Sequence, residues 1–392
     1  MNQKKRAWAV MMAAFLASIA VAVNAYKVPP VMRVLMADLG VGMVTGGWLM
    51  SAVSVASLIL AIPSAFLLMR LGLKVTGMVA LGCSVTGAII GSQATGATTL
   101  LLARLIEGGG GALITVTASA AISAWFEPQD RGLPMGIWAT WVPIGNVLIF
   151  NLAHPLLNAF GWQAVWWFGA SFALLALLIY GLVVTEPPES EQHEQALPRS
   201  FGRMLFNPTS WLLALAWGTF AFSLVAYNTW APAFLIETLS INPALANSYA
   251  STMFLAAIPA NIIAGWLLGR LENRSRLLPV TFLITTVLFF WSFRLGSVSV
   301  VVPYMIALGF VSNFIPAASF TLAPETMPSL QFASLSLALL TVGSNSGSLT
   351  GPPVLGAILS TGNWTAGSIC LVMVMGAGTM IGWLVSKRLR AT

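Results

Sequence analysis

Charge is what this chain has least of. Only 7% of its 392 residues are Asp, Glu, Lys or Arg, where a soluble domain carries about 25%. A soluble surface cannot be covered with so few charges. Soluble enzymes, nucleic-acid binders and disordered proteins are therefore excluded, despite a net charge of +7. Cysteine is nearly absent too. Cys83 and Cys370 both lie in apolar stretches, which suggests neither a disulfide framework nor a thiolate metal site. The two histidines, His154 and His193, are far apart and lack metal-ligand spacing. No strand followed by a phosphate loop is found, so ATP hydrolysis within this chain is excluded. No cofactor is expected, and no filter-like loop suggests a channel.

What the chain has is apolar length: 58% of it is hydrophobic. A membrane-spanning helix needs roughly 20 apolar residues. On that ruler twelve segments qualify: 7–34, 42–69, 74–94, 98–122, 132–157, 164–184, 209–235, 245–268, 276–295, 299–322, 330–358 and 365–386. They are too long and unbroken for barrel strands. The first is too long for the core of a signal peptide and has no convincing cleavage site. The expected fold is an all-α membrane protein.

Lysine and arginine set the orientation. With the amino terminus inside, the cytoplasmic side holds Lys4, Lys5, Arg6, Arg70, Lys74, Arg131, Arg199, Arg203, Arg270, Arg274, Arg276, Lys387, Arg388 and Arg390. Only Arg33 and Arg294 fall near the outer face, while Lys27 and Arg104 lie within spans. An even number of spans returns the carboxyl terminus to the cytoplasm. This asymmetry accounts for the basic balance without a nucleic-acid partner. The one long polar stretch, 185–208, holds Glu186, Glu189, Glu191 and Glu194 and reads as a solvated linker. It divides six-span halves at 1–184 and 209–392.

The halves repeat at offsets near 200. Ala65-x-x-x-Met69-Arg70-x-Gly72-x-Lys74 is echoed by Gly265-x-x-x-Gly269-Arg270-x-Glu272-x-Arg274. Ala25-Tyr26-Lys27 before Pro29 and Pro30 is echoed by Ala226-Tyr227-Asn228 before Pro232. Phe160-Gly161-Trp162 is echoed by Gly362-Asn363-Trp364. Parallel halves related about the membrane normal are a transporter signature.

On these motifs the sequence resembles the major facilitator superfamily over essentially the whole chain. Arg70, Gly72 and Lys74 match that family's loop signature, with Ala65 at its glycine and Met69 at its acid position. Arg104-x-x-Glu107-Gly108 and Trp125-Phe126-x-Pro128-x-x-Arg131-Gly132 resemble two further family motifs. Asn24-x-x-Lys27-x-Pro29-Pro30, the missing acid and Gly161-Trp162 resemble the bacterial cyanate, nitroimidazole and nitrate-type porters. The resemblance implies two pseudo-symmetric six-helix bundles, alternating access, a monomer in the bacterial inner membrane, and a cavity lined by spans 1, 4, 7 and 10. It also makes Arg70, Gly72, Lys74, Gly265, Arg270 and Glu272 the expected conformational latch.

An ionisable group deep in a bilayer costs about 2.5–3.5 kcal/mol on insertion scales and persists where it meets a cavity or partner. Lys27, beside Tyr26 and Asn24, is expected to anchor an anion, or else to snorkel outward with Arg33. Arg104 and Glu107, at i and i+3, share a helix face. Glu107 is expected to be the proton-coupling carboxylate and Arg104 its partner or a second anion ligand; the alternative is a structural ion pair. Glycines 108 to 111 read as close helix packing. Tyr227, Asn228, Trp141 and Asn313 are expected substrate contacts. His154 reads as a wet helix-end residue, Asp38, Glu237 and Glu325 as helix-end groups, and Trp162, Trp166 and Trp167 as interfacial anchors.

Two cavity cations against one carboxylate suggest proton-coupled uptake of a small organic or inorganic anion. The rival is proton-driven efflux of drugs or metabolites. Its Gly- and Pro-rich signature in span five is only partly present, as Gly136, Pro143 and Gly145. A membrane sensor would need a sizeable soluble domain, and none is seen.

Overall fold

The computed structural model describes residues 3–60, 63–127, 130–186, 204–271, 273–328 and 332–390. Among these all regular structure is helical, as apolar runs with internally satisfied backbone demand in a membrane. The chain forms two compact units. One is Met1–Val41 with Trp48–His193, and the other is Gly42–Gly47 with Glu194–Thr392.

The first unit is built on α1 (Gln3–Tyr26), α2 (Met32–Leu39), α3 (Met43–Leu60, from Trp48 onward), α4 (Pro63–Ser92), α5 (Ala97–Trp125), α6 (Gly132–Trp138), α7 (Trp141–Phe160) and α8 (Gln163–Val183). Helix α1 packs on α5, α7 and α8. It stops at Tyr26, and Pro29 and Pro30 start a 3₁₀ turn before the chain resumes as α2. Prolines lack the amide proton that would continue the helix. The helical run of α4 breaks at Gly72 (φ 75°, ψ 176°), a conformation that L side chains rarely adopt.

The second unit comprises α9 (Pro208–Leu239), α10 (Pro243–Arg270), α11 (Leu277–Phe289), α12 (Val301–Ser312), α13 (Phe314–Leu322), α14 (Ala333–Leu359) and α15 (Trp364–Leu389). Asn207 and Asn242 cap α9 and α10, each accepting from backbone amides of the first turn. Helix α9 runs unbroken through Tyr227, and its principal neighbours are α14 and α15.

Ten helical stretches among the described residues are long and apolar enough to cross a membrane. Two segments that the sequence counted as spans are not among them. Span 276–295 is the 13-residue helix α11, which gives way to turns at Phe290–Arg294. Span 330–358 is largely α14, which is 27 residues long but carries Ser344, Asn345, Ser346, Ser348 and Thr350 within its length.

Candidate buried ion cluster

The break after α1 exposes backbone that the sequence cannot satisfy locally. The Ala25 carbonyl would accept from residue 29 in a continuous helix, but Pro29 has no amide proton. Arg104 of α5 fills that role. Its Nη2 donates to the Ala25 carbonyl at 2.5 Å and its Nη1 to the Asn24 carbonyl at 2.6 Å. Its Nε donates to the Leu49 carbonyl of α3 at 2.9 Å. One guanidinium thus ties three helices together.

The same guanidinium contacts the acid one turn on. Arg104 Nη1 lies 2.5 Å from Glu107 Oε2, and Lys27 Nζ lies 2.6 Å from Glu107 Oε1. Lys27 also donates to Asn24 Oδ1 at 2.8 Å, and its ammonium sits 4.9 Å from the centre of the Trp166 ring. Asn24 is fixed by donating to the Ala20 and Gly169 carbonyls, both at 3.0 Å. A β-carbon at Gly169 would collide with Asn24, and one at Gly87 would collide with Glu107. The pocket is therefore shaped around these groups. Lys27 and Arg104 are 0% exposed and Glu107 is 2%. The cluster carries two positive charges and one negative.

Asn24, Lys27, Arg104 and Glu107 are brought together, and Lys27 does not snorkel. Both cations are enclosed within the first unit and engaged by protein acceptors. The snorkelling alternative for Lys27 is thereby set aside. Tyr26 is half-buried and takes no part in the cluster's hydrogen bonds, and Trp141 stacks on Trp138 at 6.3 Å. In the second unit Tyr227 is fully buried. Its ring packs near Phe289, Phe293 and Tyr304, and its hydroxyl meets Met305 Sδ at 3.5 Å. Asn228 is buried beside it, and Asn313 donates to the Gly309 carbonyl between α12 and α13.

Sequence reasoning missed some neighbours. Trp162 and Trp166, expected as interfacial anchors, are buried, and only Trp167 of the three is exposed. Trp162 Nε1 donates to Asp38 at 2.6 Å, which gives that acid a partner. Glu186, expected in a solvated linker, instead meets the loop motif, where its Oε1 accepts from the Lys74 amide at 3.1 Å. A β-carbon at Gly72 would collide with the Glu186 carboxylate. Arg70 and Met69 are exposed. In the second loop Arg270 lies over the Trp266 ring at 4.1 Å, Gly265 has open space, and Glu272 lies outside the described residues.

The glycine run does close packing. Gly108 abuts the Val53 carbonyl of α3, and Gly110 abuts Ala80 and Ser84 of α4. Gly109 and Gly111 have ordinary contact distances around them.

Comparison with known proteins decides the family. The Major Facilitator Superfamily model matches residues 10–334. The chain belongs to the major facilitator superfamily. Membership assigns it to a class of membrane transporters that are not enzymes. It is similar to the putative glycerol-3-phosphate transporter 1 of Arabidopsis thaliana, with 27% identity over 69% of this chain and 60% of that protein. It is also similar to the glycerol-3-phosphate transporter of Bacillus subtilis, with 25% identity over 63% of this chain and 62% of that protein. These matches span less than two thirds of either relative. The fold matches a bacterial homologue of the human lysosomal transporter Spinster, crystallised in an inward-facing, occupied conformation. That likeness has a TM-score of 0.81 at 17% identity and covers 96% of each chain. Neither relative bears the name of a cyanate, nitroimidazole or nitrate porter.

Proposed function

We propose that the chain is a secondary transporter that exchanges protons for a small organic metabolite or drug by alternating access, with Lys27, Glu107 and Arg104 as its proton-handling group. The observation that carries this is the sealed cluster itself. Its excess of one positive charge is fully buried, and an uncompensated buried charge costs several kcal/mol. Arginine keeps its proton, and protonating Glu107 would raise the excess to two. Release of the Lys27 proton removes it. We therefore move the coupling proton from Glu107, where the sequence reading puts it, to the Lys27 side of the pair. Glu107 serves as its counter-ion and Arg104 as the fixed charge that holds Glu107 in place.

The efflux reading is preferred over anion uptake because both cations already have protein acceptors. An incoming anion would have to displace Glu107 or backbone carbonyls from them. Anion uptake stays the second reading, favoured by the names of the two glycerol-3-phosphate transporters. In it a proton carried by Lys27 and an anion cross together. Tyr26 and Trp141 are the first unit's proposed cargo contacts, and Asn228 and Asn313 the second unit's. Tyr227, enclosed by aromatic rings, is the weakest of the set.

The remaining architecture is proposed on the family pattern. It has twelve spans in two six-helix halves, 1–184 and 209–392, joined by a linker at 185–208. The protein would be a monomer in a bacterial inner membrane with both termini cytoplasmic. The loop motifs would form the latch, with Glu186 supplying the acid that Met69 does not. We rest this on the superfamily and not on a porter branch.

The test is proteoliposome transport with a trapped pH dye and a panel of small organic anions and cations. Under antiport, cargo entering the vesicle drives protons out and the lumen becomes alkaline; under symport it becomes acid. Lys27→Arg keeps the charge but holds its proton, and should exchange labelled cargo while moving no protons. Absence of cargo-linked proton flux in the wild-type protein would sink the coupling proposal.

A further inference from the structure

We propose that the second unit carries a binding site for an anionic phospholipid, in a groove between α11 and α15. The groove encloses about 610 Å³ and is lined by Arg276, Val280 and Leu283 on one side and by Met380, Trp383 and Arg390 on the other. That volume falls in the usual range for small-molecule sites, about 300–1,000 Å³.

The register of the two helices explains the composition. Arg276 immediately precedes α11, and Arg390 immediately follows α15. Ser275 meets Ser386 at 3.4 Å and Thr286 meets Thr379 at 3.1 Å, so residue numbers rise from 276 to 283 on one wall of the groove as they fall from 390 towards 379 on the other. The two guanidiniums therefore share one end. From there an apolar channel runs along α11 for seven residues, about 10 Å at 1.5 Å per residue. That depth is a third of a bilayer's hydrocarbon core of about 30 Å. It suits a headgroup at the surface with the first part of an acyl chain below it.

Charge complementarity selects the occupant. Arg274, two residues away, is matched by Glu325 at 2.7 Å. Among the described residues neither Arg276 nor Arg390 forms an ion pair. The Arg390 guanidinium donates its Nε to the Ser386 carbonyl at 3.0 Å. Both arginines are exposed, as are Val280, Leu283, Met380 and Trp383. A free phosphate would use the arginines but leave the apolar wall bare. A zwitterionic lipid would use the wall but bring no net charge to two guanidiniums. A phospholipid with one net negative charge satisfies both. Basic pockets between helices at the cytoplasmic surface bind anionic headgroups by this logic.

Full-length protein purified in mild detergent would be incubated with phosphatidylglycerol or phosphatidylcholine and its adducts counted by native mass spectrometry. Wild-type protein should retain phosphatidylglycerol preferentially. Each arginine near a headgroup contributes about fivefold in affinity, so Arg276→Gln with Arg390→Gln should lose roughly twenty-five-fold. Val280→Trp, which keeps both charges and fills the groove, should also lose the adduct, whereas Arg274→Gln should keep it. Equal retention by the double variant, or equal retention of the two lipids, would overturn the site. Displacement by inorganic phosphate would overturn it too, by showing a free-anion site. Transport is not the readout, so the result is independent of the proton-exchange proposal.

Discussion

Gly108 of α5 lies against the Val53 carbonyl of α3, and Gly309 of α12 lies against the Met253 carbonyl of α10. The two contacts are 201 and 200 residues apart in sequence. Gly145 of α7 sits on the Ile19–Val23 turn of α1, and Gly347 of α14 sits on the Gly218–Phe222 turn of α9. At these two places helix packing is thus repeated in the two units. The chemistry at the matching depth is not. Moving 201 residues along the chain takes Lys27 to Asn228, Arg104 to Met305 and Glu107 to Leu308. The first unit holds three charges where the second holds an amide, a thioether and an alkane, flanked by the rings of Tyr227, Phe289 and Phe293. The same scaffold therefore needs no charge at these positions to fold. The charges in the first unit call for a functional explanation, in keeping with the cost of placing them there.

The largest effect should come from removing the anion alone. Glu107→Gln leaves Lys27 and Arg104 as two buried cations without a counter-charge. Breaking a buried ion pair on one side costs about 3–5 kcal/mol, so the detergent-solubilised protein should lose much of its thermal stability. Copying the neutral half, with Lys27→Asn, Arg104→Met and Glu107→Leu together, removes the charge imbalance but also takes the donor from the Asn24, Ala25 and Leu49 carbonyls, so it should recover only part of that loss. The same triple variant should abolish cargo-linked proton flux. If Glu107→Gln melts with the wild type, the cluster is not electrostatically closed and the contrast between units fails.

Packing is the next largest. Gly108→Ala and Gly309→Ala each place a methyl group on a backbone carbonyl of a neighbouring helix. Overpacking of this kind costs about 1–3 kcal/mol. The two variants should be destabilised by similar amounts in thermal melts, whereas Gly111→Ala, which has only ordinary contacts around it, should be close to neutral. Unequal losses would show that the repeat is one of sequence spacing more than of packing.

Much of this was legible beforehand, for identifiable reasons. Apolar length marks a span wherever helix and hydrophobicity coincide. It is weakest at α11, which is 13 residues long, and at α14, which carries Ser, Thr and Asn in its middle. The cost of buried charge singled out Lys27, Arg104 and Glu107, and the i, i+3 spacing paired the last two. It could not show that Lys27 joins them across 80 residues, because that contact depends on where α1 breaks. Pro29 and Pro30 were the available signal, since an orphaned carbonyl one turn earlier requires a donor. Trp166 looked interfacial because composition does not tell a ring facing lipid from one facing an ammonium. Glu186 was hidden by its position among the linker acids, and only the turn at Gly72 gives it a partner.

The smallest expected effect bears most directly on the neutral half. Tyr227→Phe removes one hydroxyl, which donates to the Met305 thioether at 3.5 Å and also meets the Tyr304 hydroxyl. Both are neutral partners, so the loss should be about 1 kcal/mol. The ring keeps its contacts with Phe289, Phe293 and Tyr304. Cargo transport and its proton flux should be unchanged. A stable Tyr227→Phe protein that no longer transports would mean that the hydroxyl reaches cargo in another conformation of the cycle. The second unit would then contribute recognition where it now contributes packing, and the repeat of Tyr26 at Tyr227 would carry functional meaning after all.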